Sequence, residues 1–206
     1  MSNCSHCKTL ACSRMEVEDL PKGCPMGRNP AAFEQAAAHM DEEMELGAWA
    51  ARIEARGYCH WTRMEEIMEL ARGMGYSHLG IAFCAGLHQE ARTATDILRS
   101  NGFRVSSVIC KTGAVEKARL SLDEEDKLRP GQPEAMCYPI AQAEVLNELG
   151  SEFNITVGLC VGHDSLFFRY SQSPATVLVA KDRVLAHNPV GALYCASSYY
   201  RRLTNR

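Results

Sequence analysis

Four short stretches that read as strands, at 79–83, 103–109, 154–159 and 176–180, constrain the fold more than any other feature of this chain. Each is five to seven residues long and is separated from the next by a stretch with helical patterning. The helical stretches fall at 87–100, at 140–149 and at 164–170, and a last one opens at Asn188-Pro189, where Asn can cap and Pro suits the first turn. Strands alternating with helices predict an α/β fold: a small, mostly parallel, Rossmann-like sheet flanked by helices. A further strand at 184–186 is expected to pair through a Lys181-Asp182 turn.

Helices also precede the first strand. Ala31, Ala36, Ala37, Met40, Met44, Leu46, Trp49 and Ile53 recur as one apolar face over 30–56, and Gly57 is a natural stop. Thr62 with Glu65 forms a capping box for a second helix that ends at Gly73 or Gly75. The polar segment 111–135, with its acidic cluster at 123–126 and the turn Pro130-Gly131-Gln132-Pro133, is long for a connection. It reads as a lid or as a helix without a legible pattern.

Residues 1–29 stand apart from the domain at 30–206. They hold Cys4, Cys7, Cys12 and Cys24 among prolines and glycines, with few large apolar side chains to bury. Such a segment needs something other than a hydrophobic core to order it. The net charge of −3 offers no field for nucleic acid, and no apolar run approaches the roughly 20 residues of a membrane helix. The arginines at 201, 202 and 206 read as a solvated end. No secretion signal is legible at the start, so a cytoplasmic protein with reduced thiols is expected. There, 10 cysteines read as metal ligands, reactive thiols or core residues and not as a disulfide frame.

The cysteines fall into two sets. Cys4-x2-Cys7-x4-Cys12-x11-Cys24-Pro25 supplies four thiolates, enough for a tetrahedral zinc site or a cubane cluster. The spacing matches neither paired zinc knuckles nor the common ferredoxin patterns, but a Cys-Pro ending belongs to the bacterial ferredoxin type and favours iron–sulfur, with zinc as the alternative.

The second set is Cys84, Cys110, Cys137 and Cys160. Cys84, Cys110 and Cys160 sit at the carboxyl ends of expected strands, and Cys137 opens the helix at 140–149. Ligands of open parallel sheets bind at that rim, so these four are candidate cofactor-binding residues. Gly86, Gly113, Gly158 and Gly162 allow close approach nearby. His163 follows Cys160 and is the candidate catalytic proton donor, although capping is an equal reading, with Asp164 the natural N-cap. His187 could face the same crevice, His88 is ambiguous, and His78 belongs at the opposite end of its strand. Cys59 and Cys195 lack strand-end placement and read as structural. No phosphate loop, dinucleotide fingerprint or nucleophile elbow is present.

The strings His78-Leu79-Gly80-Ile81-Ala82-Phe83-Cys84, Glu134-Ala135-Met136-Cys137-Tyr138-Pro139-Ile140 and 158–167 resemble a family of uncharacterised prokaryotic proteins, a domain of unknown function. Its members are frequent in anaerobic bacteria and archaea and are often labelled metal-binding. The resemblance extends over nearly the whole chain and implies a metal or cluster held by cysteines, with no established reaction.

Two functions follow as expectations. The first is an iron–sulfur protein with one or two clusters, the N-terminal one acting as electron relay or lid, and redox or small-molecule chemistry at the strand ends. Its partner is a redox protein or a small-molecule substrate. The second is a zinc-stabilised binding module without catalysis. A third reading makes Cys84 a metal-free nucleophile with His163 as base.

Overall fold

The computed structural model describes residues 3–204, so Arg206 lies outside the described residues. The chain divides into two compact units, Met1–Arg56 and Gly57–Arg206.

The first unit contains three 3-10 turns, Cys4–His6, Ala11–Arg14 and Val17–Asp19, and then α1 (Pro25–Arg28), α2 (Pro30–Glu42) and α3 (Met44–Gly57). The single helix expected over 30–56 is thus two. It breaks at Glu43, which leaves the helical region with φ −103. The physical reason is charge: Asp41, Glu42, Glu43 and Glu45 crowd the C-terminal end of α2, where the helix dipole disfavours anions and the i,i+4 pair Asp41/Glu45 repels.

The second unit is α/β. It opens with α4 (Arg63–Gly73), started by the expected capping box: Thr62 Oγ1 accepts from the Glu65 N–H, and Glu65 Oε2 accepts from the Thr62 N–H at 2.6 Å. There follow β1 (His78–Phe83), α5 (His88–Ser100), β2 (Arg104–Ile109), α6 (Pro139–Glu148), β3 (Phe153–Val157), α7 (His163–Tyr170), β4 (Ala175–Val179) and α8 (Val190–Tyr194). The four strands form one parallel sheet in the order β2-β1-β3-β4.

Right-handed crossovers put α5 on one face, and α6 and α7 on the other, because the chain moves outward from β1 to β2 and then reverses toward β3 and β4. Helices on both faces explain why every residue of β1 and β3 is buried, with the polar Asn154 and Thr156 of β3 held by hydrogen bonds. His78, at the N-terminal end of β1, is buried but satisfied: its Nδ1 lies 2.8 Å from Arg104 Nη2 and 3.1 Å from Gly150 O, and its Nε2 lies 2.8 Å from Ser106 Oγ. It belongs to the scaffold.

Four further expectations need correction. Residues 184–186 form no strand. Asp182 Oδ1 captures the Val184 and Leu185 N–H groups, and Ala186 and His187 take left-handed conformations. The segment 111–135 contains no α-helix. It carries 3-10 turns at Lys117–Leu120 and Glu124–Asp126 and is pinched shut by an antiparallel bridge between Glu116 and Ala135. Helix α7 is capped by Gly162 (φ 85), with Asp164 inside the first turn accepting from the Gly162 and Ser165 N–H groups. Similarly, α8 has Pro189 at its N-cap, and Asn188 makes no side-chain cap bond there.

Gly80 lies at the tightest point between sheet and helix. A Cβ there would run into Asn154 Oδ1 and sit 3.0 Å from Leu146 Cδ1. Asn154 is itself fixed by bonds to Ser151 and Ser171, both 2.8 Å. Gly80→Ala is therefore expected to cost on the order of 3 kcal/mol from overpacking and a broken buried bond. Thermal melting should show the unit losing roughly 6–12 °C. An unchanged melting temperature would contradict this packing.

Candidate functional site

The sheet order creates a topological switch point between β1 and β3, since the connections leaving these neighbours run in opposite directions. Ladder bonds then carry the pairing past the strand ends. The Cys84 N–H donates to Val157 O at 3.1 Å and the Cys110 N–H donates to Phe83 O at 2.8 Å. Phe83 pairs with Ile109, so Cys84 and Cys110 are the next rung of the same parallel ladder and point to the same face. Sheet geometry alone brings these two thiols together.

Cys137 arrives by another route. The bridge at Glu116/Ala135 closes the excursion, and the Tyr138 N–H donates to Cys110 O at 2.7 Å. The sulfurs of Cys137 and Cys110 are consequently 3.9 Å apart, although 27 residues separate them. Cys110 also accepts the Ala85 N–H at 3.3 Å. Three thiols from three segments thus meet around Cys110. Cys160 joins less directly: Arg183 Nη2 lies 3.0 Å from its sulfur, and the same guanidinium is within electrostatic reach of Cys84 and Cys137.

The electrostatics of the group are asymmetric. The hydrogen bond from Cys110 holds Cys84 well below the ordinary thiol range, assisted by the Gly86 N–H and by Lys181. Cys110 likewise lowers Cys137, with further help from His163 and the charge of Lys111. Cys110, bonded to Cys137 and Cys84 and 3% exposed, is pushed up by those bonds and by burial. Two lowered thiols therefore flank one raised one. His163 is raised by its bond to the Cys137 thiolate, so its N–H acts as a donor there. The base-and-nucleophile pairing of Cys84 with His163 is not what the fold provides: His163 serves Cys137, and Lys181 serves Cys84.

His187 is turned inward to its own loop, with Nδ1 accepting from the Asp182 N–H at 3.1 Å. His88 opens α5 with its ring 5.9 Å from that of Phe83. Cys59 is exposed at a left-handed turn (φ 58), and Cys195 closes α8, half-buried. Neither packs in the core.

Sequence reasoning missed Lys111, Lys181, Arg183 and Gln142. The first follows β2 and the next two follow β4, so the strand-end rule used for the cysteines would have found them. Gln142, on α6, is fully buried and donates from Nε2 to Phe83 O (3.2 Å) and Val108 O (2.7 Å), tying together the strand ends that carry Cys84 and Cys110. Its Oε1 is buried without a partner. A glutamine on the apolar side of a helix was the available signal.

In the first unit, Cys4, Cys7, Cys12 and Cys24 all line one cavity of ≈ 440 Å³, together with Leu10 and Leu20. Leu10 and Met15 adopt left-handed backbone (φ 47 and 61), and the turn this creates aims donors at Cys7. The Thr9 hydroxyl lies 3.5 Å from the Cys7 sulfur, and this contact, with the Leu10 and Thr9 N–H groups, lowers that thiol. All ten cysteines are free. Among the described residues, no three Cys, His, Asp or Glu side chains gather around a point a single metal ion would occupy. Nor is any helix among them long and apolar enough to cross a membrane.

A family model described as a protein of unknown function, DUF1847, matches residues 24–178. The chain belongs to the DUF1847 family. The uncharacterized protein MJ0455 of Methanocaldococcus jannaschii is 47% identical over 160 residues, which cover 78% of this chain and 80% of that protein. No solved structure matches. The DUF1847 match contains Cys24, Cys84, Cys110, Cys137, Cys160 and His163, and its span leaves out Cys4, Cys7, Cys12, Lys181 and Arg183.

Proposed function

We propose that this DUF1847 member is an iron–sulfur protein whose cluster is held by Cys4, Cys7, Cys12 and Cys24, with redox chemistry at the strand-end thiols of the α/β unit. The observation carrying the proposal is that all four N-terminal cysteines line a single cavity. Zinc draws its four sulfurs to about 2.3 Å around one point, which packs them against one another. A cubane instead fills a volume and keeps its ligands apart. Four cysteines lining one ≈ 440 Å³ space leave room for a cubane among them. The donors at Cys7 suit it too, because hydrogen bonds to cluster sulfurs stabilise thiolate and raise the reduction potential.

The strand-end thiols fit a second cluster less well. Cys110 and Cys137 are in contact at 3.9 Å, which leaves no space for a cubane between them. One cluster per chain is the reading favoured, and a small molecule or redox partner is the natural electron exchanger for such a protein.

Anaerobic reconstitution of the full chain with iron and sulfide tests this. A brown product with a broad band near about 400 nm is expected from iron–thiolate charge transfer. A colourless protein that takes up zinc alone would establish the binding-module alternative.

A further inference from the structure

We infer that the strand-end thiols carry out thiol–disulfide exchange with a small disulfide substrate, Cys137 being the attacking sulfur and Cys110 the resolving one. The inference stands on residues of the α/β unit and does not depend on the N-terminal cluster.

Geometry comes first. The two sulfurs are already in contact at 3.9 Å, and their backbones are joined by the Tyr138 N–H···O Cys110 bond of 2.7 Å. A backbone bond beside Cys137 and a sulfur contact of this length are the arrangement from which a side-chain rotation can close a disulfide. Exposure then assigns the roles. Cys137 is half-buried, whereas Cys110 is 3% exposed and Cys84 8%. Of the three thiols that meet at Cys110, Cys137 is the one most open to an incoming substrate, and Cys110 is placed to attack it afterwards from within.

The surroundings match those roles. Cys137 carries the His163 hydrogen bond and the nearby charge of Lys111, the cationic environment that favours a thiolate nucleophile. Lys111 is itself anchored to Ala135 O beside it. The Ala85 N–H bonded to Cys110 stabilises that sulfur as it loses its proton.

The step balances as follows. The Cys137 thiolate attacks one sulfur of RSSR, forming the Cys137–SR bond, breaking the substrate S–S bond and releasing RS⁻. Cys110 then gives up its proton and attacks Cys137 Sγ, expelling the second RS⁻, which takes that proton. The enzyme dithiol loses two electrons and becomes a disulfide, and RSSR gains two and becomes two thiols. An external thiol reverses the sequence.

The test uses full-length protein, reduced, desalted and incubated anaerobically with oxidised glutathione, then blocked with N-ethylmaleimide and mapped by mass spectrometry. A cross-linked peptide joining Cys110 and Cys137 is expected. Cys110→Ser should arrest the reaction with glutathione attached to Cys137, and Cys137→Ser should slow thiol release at this site by roughly tenfold or more. Recovery of Cys110 and Cys137 both alkylated, with oxidation confined to other cysteines, would overturn the inference. So would a folded Cys110→Ser protein lacking the Cys137 adduct. Should that variant not fold, the wild-type map decides alone.

Discussion

Replacing Gln142 by glutamate is expected to destabilise the α/β unit by an amount that grows with pH. The Gln142 amide nitrogen donates to two strand-end carbonyls in a site with no exposure, and a carboxylate there would instead face both oxygens. Burial among acceptors raises a glutamate from about 4.3 to roughly 8. The sign follows from the raised folded value. Below the unfolded pKa the acid is neutral in both states, and the variant lacks only one hydrogen bond, a loss of about 1 kcal/mol. As pH rises from about 4.3 toward 8, the unfolded chain ionises while the folded one cannot, and stability falls by about 1.4 kcal/mol per unit. Above the raised value the accumulated penalty is on the order of 5 kcal/mol, comparable with the whole stability of many domains. Urea denaturation at pH 5, 7 and 8.5 reads this directly. A pH-independent difference from the wild type would mean that Gln142 does not tie the two strand ends.

The second large effect concerns the N-terminal cysteines. Double substitution Cys12→Ala with Cys24→Ala removes half of the proposed ligand set, and the remaining two thiols cannot hold a cubane. Bound iron should drop by roughly tenfold or more, with the band near about 400 nm lost. Cys110→Ala, in the other unit, should leave iron content unchanged. Iron lost from Cys110→Ala and retained without Cys12 and Cys24 would move the cluster to the strand ends.

These effects trace to features of different legibility. The strands could be read because short strand-like stretches alternate with helical patterning, as a parallel sheet covered by helices requires. The start of α4 could be read because Thr62 and Glu65 satisfy each other locally. Strand-end placement of Cys84 and Cys110 followed from strand position alone, and their meeting followed from a parallel register that puts Phe83 opposite Ile109. The return of Cys137 could not be read. It depends on backbone bonds between residues far apart, Lys117 with Glu134 and Tyr138 with Cys110, which leave no periodic trace. The break at Glu43 was hidden because the apolar spacing continues through it, while the charges that disrupt it lie on the other side. The loop at 181–187 resembled a strand by composition, but Asp182 offers its backbone a local partner before any sheet edge can. The spacing of the first cysteines pointed to metal, whereas their placement around one cavity required the fold itself.

The most direct measurement is quantitation of iron, acid-labile sulfide and zinc in protein purified without oxygen or chelators. A cubane in the N-terminal box predicts about four iron and about four sulfide per chain, with zinc far below one equivalent. About one zinc per chain, with neither iron nor sulfide, would contradict it.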